Sequence, residues 1–224
     1  MEYKVKDVIK VIEDFAPLSL QEGWDNSGLC IGSPEDAVSS VLFGLDCTPE
    51  LVDEAVACGA DMIVTHHPLI FSGLKKISPD NKVGEAVIKA IRSGISIYAA
   101  HTSADKVIAG VSGAMAAKLG LVNVSILDED GEGTGLGVVG DLSEPLSADE
   151  AVSLVKERFA LKALRTSKPL DGRITRVAMC GGSGSSLIGA ARKSGAQLYI
   201  SGDISYHHFF TEKGFMIMDI GHYE

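Results

Sequence analysis

The chain has 224 residues, enough for one large α/β domain or two small ones with a buried core. Its 46% hydrophobic and 22% charged residues are typical of a globular protein and exclude a disordered one. The net charge of −10, from 30 acidic and 20 basic residues, would repel a polyanion over most of the surface, so we expect no nucleic-acid polymer as partner.

The sequence shows neither a membrane span nor an export signal. No apolar run approaches the roughly 18 residues needed to cross a bilayer. A signal peptide would have a continuous apolar stretch near the N-terminus, whereas charged residues interrupt Met1–Lys6 and the segment after it. The cysteines are widely spaced without a C-x-x-C pair, and we interpret Cys30, Cys47, Cys58 and Cys180 as small buried thiols in a reducing compartment. We therefore predict a cytoplasmic protein with no membrane contact.

The first part of the chain alternates helices with short apolar strands. Apolar residues recur at a helical period in Val5–Phe15, and a Gly/Asn-rich loop follows at Glu22–Gly28. The next predicted elements, in chain order, are a strand Val41–Asp46, a helix capped by Thr48, a strand Asp61–Thr65, a helix near Val83–Arg92, a strand Ile95–Ala100 and a helix Ile108–Leu119. This order is typical of parallel strands joined by crossover helices.

The second part begins with an acidic, Gly-rich segment, Asp128–Gly135, which we predict to be an exposed loop. The elements predicted after it are a strand Leu136–Leu142, a helix Ser147–Phe159 with a capping box, a strand Arg176–Cys180, a helix Ser186–Ser194, a strand ending at Ser201, a helix opening at His207-His208, and a strand Phe215–Ile220. The strands and helices alternate here as they do in the first part.

Two segments of the second part repeat patterns of the first. Ser194–Ser201 has Gly-Ala at the same offset as Cys58–Thr65, and Gly214–His222 follows Gly94–His101 with one extra residue. Either an internal duplication or convergent βαβ patterning would produce this weak repeat. We predict an α/β fold of two related halves with mixed, mostly parallel sheets, spanning 1–127 and 128–224, or one intertwined domain.

Histidines stand where three of the predicted strands end. His66 and His67 directly follow one strand, His101 follows a second with Asp105 four residues later, and His222 follows a third. Ligands gather at the carboxyl ends of strands in an open parallel sheet, so we expect these side chains at one edge. Imidazole and carboxylate together suit zinc, iron or manganese, and carboxylates bridge two ions. We predict a metal site here and interpret His208 as an ordinary residue.

Two further motifs have open interpretations. Gly181–Ser186 follows a strand and opens a helix, so its amides either hold an anion or make a tight structural turn. Trp24-Asp25-Asn26 either shapes the wall of a pocket or makes the turn that Asp and Asn favour. Neither Ser185 nor Ser186 has a G-x-S-x-G context, which argues against a serine hydrolase.

Five motifs, taken in order, resemble those of the NIF-three-like family of GTP cyclohydrolase 1 type 2 homologues. They are Trp24-Asp25-Asn26-Ser27-Gly28-Leu29, Thr65-His66-His67-Pro68-Leu69-Ile70-Phe71, His101-Thr102-Ser103-Ala104-Asp105, Gly181-Gly182-Ser183-Gly184-Ser185 and Gly221-His222-Tyr223. The resemblance covers nearly the whole chain, and its His-His-Pro and Gly-His-Tyr elements are specific.

The resemblance implies a two-domain α/β subunit with a dinuclear metal site in the cleft between the halves, and a toroidal homohexamer. By position, His66, His67, Asp105 and His222 match the metal ligands of the family. Members also carry a glutamate, four residues after the histidine of Gly-His-Tyr, that bridges both ions. That position lies two residues beyond Glu224, the last residue given, and Glu224 would substitute only if its segment is extended.

We predict from these features a metal-dependent hydrolase with two divalent ions per subunit (zinc, manganese or iron). The ions would activate a bridging water and clamp a small-molecule substrate such as a nucleotide, while His101 or His207 would transfer protons. The family name suggests opening of the purine ring of GTP. A non-catalytic metal-binding protein, such as a metallochaperone or regulator, fits the sequence equally well, and a pure assembly module would bind no metal.

Overall fold

The computed structural model describes residues 2–224, which form two compact units. The first unit ends at Ala104, and the second comprises Asp105–Glu224. Residues 127 and 128, where the sequence analysis divides the chain, lie inside a strand of the second unit. Both units are mixed α/β, as expected, and each has its own main sheet with its own apolar core.

Helices cover the main sheet of the first unit. Its strands are β1 (Tyr3–Lys4), β2 (Gly28–Ile31), β3 (Ala37–Val38), β4 (Val41–Gly44), β5 (Met62–Thr65) and β6 (Ser96–Ala99). Its helices are α1 (Val5–Phe15), α2 (Pro49–Cys58), α3 (Lys82–Ser93) and α4 (Thr102–Asp105), whose last residue begins the second unit; a 3-10 turn spans Leu18–Leu20. The main sheet has the order β2-β6-β5-β4, in which β4, β5 and β6 are parallel and β2 is antiparallel.

This sheet is buried on both faces. Successive residues of a strand point to opposite faces. Ile63 therefore packs in the cluster that contains Val52 of α2 and Ala86 of α3, whereas Met62 packs with Val5 of α1. Burial on two sides explains why β5 and β6 are continuous apolar runs rather than alternating ones. It also holds the carboxyl ends of these strands in place.

The second unit is built around one six-stranded sheet with the order β7-β8-β10-β11-β12-β9. Its strands are β7 (Val122–Gly131), β8 (Thr134–Leu146), β9 (Arg165–Thr166), β10 (Ile174–Ser183), β11 (Leu198–Gly202) and β12 (Met216–Asp219). Its helices are α5 (Val111–Leu119), α6 (Ala148–Phe159) and α7 (Ile188–Lys193), with 3-10 turns at Ser185–Leu187 and Tyr206–Phe209. The strands β10, β11 and β12 are parallel, and this sheet is also buried on both faces.

The second sheet is not mostly parallel, which corrects the sequence analysis for this half. Three of its five strand pairings are antiparallel: β7 with β8, β8 with β10, and β9 with β12. In the four-stranded sheet of the first unit, two of the three pairings are parallel. The difference comes mainly from the long hairpin of β7 and β8, most of which the sequence analysis missed.

The acidic segment Asp128–Gly135 is exposed over most of its length but is not an irregular loop. Residues up to Gly131 belong to β7 and those from Thr134 belong to β8, so Glu132 and Gly133 form the turn of a hairpin. Gly133 has a φ of +71°, the left-handed conformation that two-residue hairpin turns favour. Consecutive acidic residues on solvent-exposed strands hide the alternating pattern that predicts a strand.

Smaller differences concern element ends. α5 begins at Val111 rather than Ile108, because Gly110 occupies its N-cap. The predicted helix Ser186–Ser194 consists of a 3-10 turn followed by the short α7, and the helix predicted at His207-His208 is a single 3-10 turn. Strands of two to four residues, such as β1, β2, β3 and β9, are too short to show a period. None of the described helices is long and apolar enough to cross a membrane.

Candidate metal centre

Three histidines meet at the carboxyl end of the parallel strands in the first unit. His66 and His67 follow the last residue of β5, and His101 comes two residues after the end of β6. One ring nitrogen from each lies within 4.8 Å of the other two. The ring centroids are 5.0 to 5.5 Å apart and the planes are steeply inclined. The arrangement is thus a compact, half-buried set of nitrogen donors.

The hydrogen bonds of the Nδ1 atoms determine which ring nitrogen faces outward. Nδ1 of His66 lies 2.9 Å from the carbonyl oxygen of Ala100, Nδ1 of His67 lies 2.7 Å from Oδ1 of Asp46, and Nδ1 of His101 lies 2.9 Å from Oδ1 of Asp25. A carbonyl or carboxylate oxygen only accepts, so each neutral ring carries its proton on Nδ1 and its lone pair on Nε2. Histidines that bind metals in proteins are oriented in this way.

Asp25 is the most strongly held of these partners. Its side chain is 0% exposed, and besides His101 it accepts hydrogen bonds from the hydroxyl of Ser27, from the hydroxyl and backbone N–H of Thr102, and from the backbone N–H of Asn26. Burial by itself would raise the pKa of Asp25, but the hydrogen bonds from Thr102, His101 and Ser27 outweigh it and hold the pKa well below its usual range. Asp25 is therefore a fixed negative charge behind His101.

Asp46 provides a weaker version of the same contact. Its side chain is 59% exposed, whereas that of its partner His67 is 23% exposed. Water competes for an exposed carboxylate, so the contact orients His67 without the rigidity that Asp25 gives His101. The acceptor is therefore a backbone carbonyl for His66, an exposed carboxylate for His67 and a buried carboxylate for His101.

The other predicted site residues lie in the second unit. Asp105 is half-buried at the end of α4. His222 is 40% exposed, and its Nδ1 lies 2.7 Å from Oδ2 of Asp203, which fixes the lone pair on Nε2 as in the first unit. The segment at His222 bends, and the carboxylate of Glu224 lies against Gly221, so this segment is not extended. The predicted proton carrier His207 is exposed in its 3-10 turn, with its ring edge on Tyr206.

The structure thus brings together His66 and His67, as expected, with His101, to which the sequence analysis assigned proton transfer. It also adds the carboxylates of Asp25 and Asp46, which the sequence analysis did not assign to the site. Asp25 had a signal in the Trp-Asp-Asn motif, which is compatible with both a pocket wall and a simple turn. Asp46 stands two residues after the end of β4, and this position at the same edge of the sheet could have predicted its contact with the cluster.

The glycine-rich segment Gly181–Ser186 uses its carbonyls within the second unit. The hydroxyl of Tyr199 donates to the carbonyl of Gly184 at 2.7 Å, and that of Ser201 donates to the carbonyl of Gly182 at 3.1 Å. The helix that follows has only six residues. The backbone N–H of Gly181 also donates, to the hydroxyl of Ser112 at 3.2 Å, so the segment uses its own polar groups and a structural turn is favoured over an anion site.

The cysteines are poor metal ligands in this structure. Burial raises the pKa of the Cys30 thiol to about 11 and those of Cys47 and Cys180 to about 12, so all three stay protonated near neutral pH. Cys58 is exposed, which corrects the expectation that all four thiols are buried. The candidate donors are therefore the histidines.

Fold and site together define a mixed α/β protein with histidine donors at the carboxyl ends of parallel strands. The sequence model of the Duf34/NIF3 (NGG1p interacting factor 3) family matches residues 3–224, and the chain belongs to this family.

Relatives of known sequence agree with this assignment. The GTP cyclohydrolase 1 type 2 homolog of Clostridium perfringens is 39% identical over 225 residues, covering 98% of this chain and 86% of that protein. The protein NIF3 homolog of Schizosaccharomyces pombe is 31% identical over 228 residues, covering 95% and 81%.

Solved structures show the same fold. The Staphylococcus aureus hypothetical protein SA1388 superposes with a TM-score of 0.92 at 29% identity, over 98% of this chain and 86% of that one. Reduced HcgD from Methanocaldococcus jannaschii superposes with a TM-score of 0.83 at 27% identity, over 100% and 88%. The likeness therefore extends over both units of the chain.

Proposed function

We propose that this protein is a metal-dependent hydrolase that holds two divalent ions, zinc, manganese or iron, and acts on a nucleotide or a similar small molecule. One observation carries the proposal: three imidazoles converge within 4.8 Å, and each is oriented through Nδ1 so that Nε2 is the donor. On the strength of the family resemblance, Asp105 and His222 join His66 and His67 as ligands, and His222 has the same Nδ1 orientation. His101 stands beside this set as the proton carrier. The cytoplasmic location and the homohexamer belong to the same proposal.

The donors fit the proposed ions. Imidazole nitrogen is a ligand that zinc, iron and manganese accept, and carboxylate oxygen suits the harder of these ions. The acceptors behind the rings are a backbone carbonyl and two carboxylates, the partners that increase the basicity of a metal-bound imidazole.

Divalent ions, when bound, would lower the pKa of a water ligand and polarise the bond to be hydrolysed. Among this chain's own residues, His66 and His67 would present Nε2 as donors. His101 would accept a proton at Nε2, and the resulting imidazolium would be stabilised by the buried carboxylate of Asp25. His207 is a second proton carrier in the proposal, with weaker support, because it is exposed and its ring packs against Tyr206.

The first experiment is metal content per subunit, measured by plasma mass spectrometry on the full chain after equilibration with zinc, manganese or iron. The parent should hold close to two ions, and His67→Ala should lose most of them. His208→Ala is the control, because His208 is exposed and lies in a 3-10 turn of the second unit. A parent without metal under all three conditions would contradict the proposal.

Turnover is tested separately, by incubating the metal-loaded protein with GTP and other nucleotides and following ring opening and phosphate release by chromatography. Hydrolysis that disappears in His101→Ala while the ions stay bound supports the enzyme. Two bound ions without any turnover would instead indicate a metal-binding protein, such as a metallochaperone or a regulator.

A further inference from the structure

Two large aromatic side chains stand exposed beside the histidine cluster. Trp24 is 59% exposed and Phe71 is 54% exposed, and both belong to loops of the first unit. Their ring centroids are 5.9 Å apart, and they lie 6.1 Å and 6.5 Å from the ring centroid of His101. The function proposed above does not use this aromatic pair.

Hydrogen bonds and packing hold the pair in place. Trp24 precedes Asp25, whose side chain is fully buried and accepts hydrogen bonds from Thr102 that fix the middle of the loop. The amide of Asn26 donates to the carbonyl of Ile70 at 2.6 Å, which ties the Trp24 loop to the residue before Phe71. The two rings are therefore held next to each other by a hydrogen bond between their loops.

The chemistry of the pair selects a type of ligand. The faces of indole and phenyl rings are electron-rich, so they stack best on planar, electron-poor rings such as nitrogen heterocycles. The two rings already pack against each other, so a third ring would lie on an exposed face rather than between them. Both rings lie edge-to-face with His101, at centroid distances of 6.1 and 6.5 Å, so a ring stacked on the pair would lie beside the histidine cluster.

We propose that Trp24 and Phe71 form a subsite that stacks a heteroaromatic ring of nucleobase size, in the molecule whose reacting group reaches the histidine cluster. The assignment of that molecule as a substrate rests on the function proposed above. Stacking itself needs no metal, so the subsite can be tested in protein stripped of ions.

Trp24 is the single tryptophan of the chain, so the intrinsic tryptophan fluorescence reports on this subsite alone. The probes are guanosine and adenosine 5′-monophosphate, with ribose 5-phosphate as the probe that lacks a base, added to the full chain in excess EDTA. We expect saturable quenching by the nucleotides and none by ribose 5-phosphate. Equal quenching by all three probes, or none up to millimolar concentration, would overturn the subsite.

Matched variants separate stacking from a general effect. Phe71→Leu should raise the Kd of the quenching nucleotide at least roughly fivefold, because loss of one stacking side chain weakens base binding roughly 5- to 150-fold. Phe15→Leu is the control, because Phe15 at the end of α1 is 52% exposed and should leave the Kd unchanged. Trp24→Leu, measured by equilibrium dialysis, should weaken binding as well. An unchanged Kd in both Phe71→Leu and Trp24→Leu would overturn the proposal.

The competing occupant is a second copy of this chain. Association would be detected as a shift of Trp24 emission that grows with protein concentration together with the molecular mass of the protein. If nucleotides no longer quench the associated form, the second copy covers the pair and the proposal is overturned. Quenching by nucleotides in a protein that binds no metal would uphold the subsite while the hydrolase proposal fails. Metal-dependent turnover without quenching would uphold the hydrolase proposal while the subsite fails.

Discussion

The main sheets of the two units share a three-stranded parallel core but carry different residues at its carboxyl end. The residue pairing is the same at equivalent positions: Val41 with Met62 and Met62 with Ser96 in the first unit, Val177 with Leu198 and Leu198 with Met216 in the second. A left-handed glycine, Gly59 or Gly195, precedes the central strand in each. The two cores are therefore built on one backbone plan.

Even a side-chain contact at the start of the central strand is repeated. The backbone N–H of Asp61 donates to the carbonyl of Ser40, and a side-chain oxygen of Asp61 accepts from the N–H of Ser40. Gln197 makes the same pair of bonds with Arg176 in the second unit. These parallels support the internal repeat predicted from the Gly-Ala spacing.

The carboxyl ends differ. After Thr65 the first unit continues with His66 and His67, and at the equivalent place after Ser201 the second unit continues with Gly202 and Asp203. A Cβ atom on Gly202 would lie 2.6 Å from the carbonyl oxygen of Gly221, so backbone fills the space that imidazoles occupy in the first unit. A shared backbone plan thus sets where a site forms, and local side chains decide what it binds.

The largest expected effect concerns the histidines at the carboxyl end of the first unit's sheet. His67→Ala should weaken zinc binding more than about 100-fold, because loss of an outer partner alone typically costs about 10- to 100-fold and this variant removes a ligand. Competition with a chromogenic chelator measures the affinity, with His208→Ala as the reference. If both variants bind zinc like the parent, the metal does not bind at the carboxyl end of the first unit's sheet.

At the equivalent place in the second unit, a substitution of Gly202 should lower the stability of the fold. Gly202→Ala should lower the free energy of unfolding by about 1–3 kcal/mol, because the added methyl group meets the backbone of Gly221 at 2.6 Å and that of Gly182 at 3.0 Å. Urea denaturation measures it. Gly189→Ala is the control: Gly189 lies in α7 with no atom within 4 Å of the added Cβ, so helix propensity should make that variant neutral or slightly more stable.

The buried partner of the cluster gives a third prediction. Asp25→Asn keeps the shape but places an amide N–H against donors from Thr102 and Ser27, so His101 loses its orientation. Turnover of the metal-loaded protein should fall about 10- to 100-fold, because His101 is then no longer held for proton transfer, while the bound ions should stay. Asp53→Asn, an exposed change in the same unit, should leave turnover unaltered. Unaltered turnover in Asp25→Asn, with the fold verified by circular dichroism, would show that the orientation of His101 does not matter for the reaction.

The smallest effect is expected at the exposed partner. Asp46→Asn should weaken zinc binding by less than about tenfold, because an asparagine oxygen can still accept from His67 and the carboxylate is 59% exposed. The same chelator competition applies. A loss of more than about tenfold would mean that the exposure of Asp46 does not weaken its contact with His67.

The sequence predicts that His66, His67 and His101 lie at one edge, but it assigns proton transfer to His101 and does not predict the partners of the rings. Their placement is predictable because parallel strands end at one edge and each of these histidines stands within two residues of a strand end. Asp46 and Asp25 lie 21 and 76 residues from the histidines that they contact, and no local pattern records such a pairing. The helices with polar caps, such as the one that Ser147 begins, were predicted well because their signals are local. The β7–β8 hairpin was largely missed because it is exposed and acidic.

The acceptor of His66 differs from those of His67 and His101 because it belongs to the backbone. It is the carbonyl oxygen of Ala100, and every amino acid supplies a carbonyl at that position. A single base change can convert Asp25 or Asp46 into another residue, so mutation can retune His101 and His67 independently, but it cannot delete the acceptor of His66. Divergence among descendants of this protein should therefore adjust two of the donors around a third that stays constant.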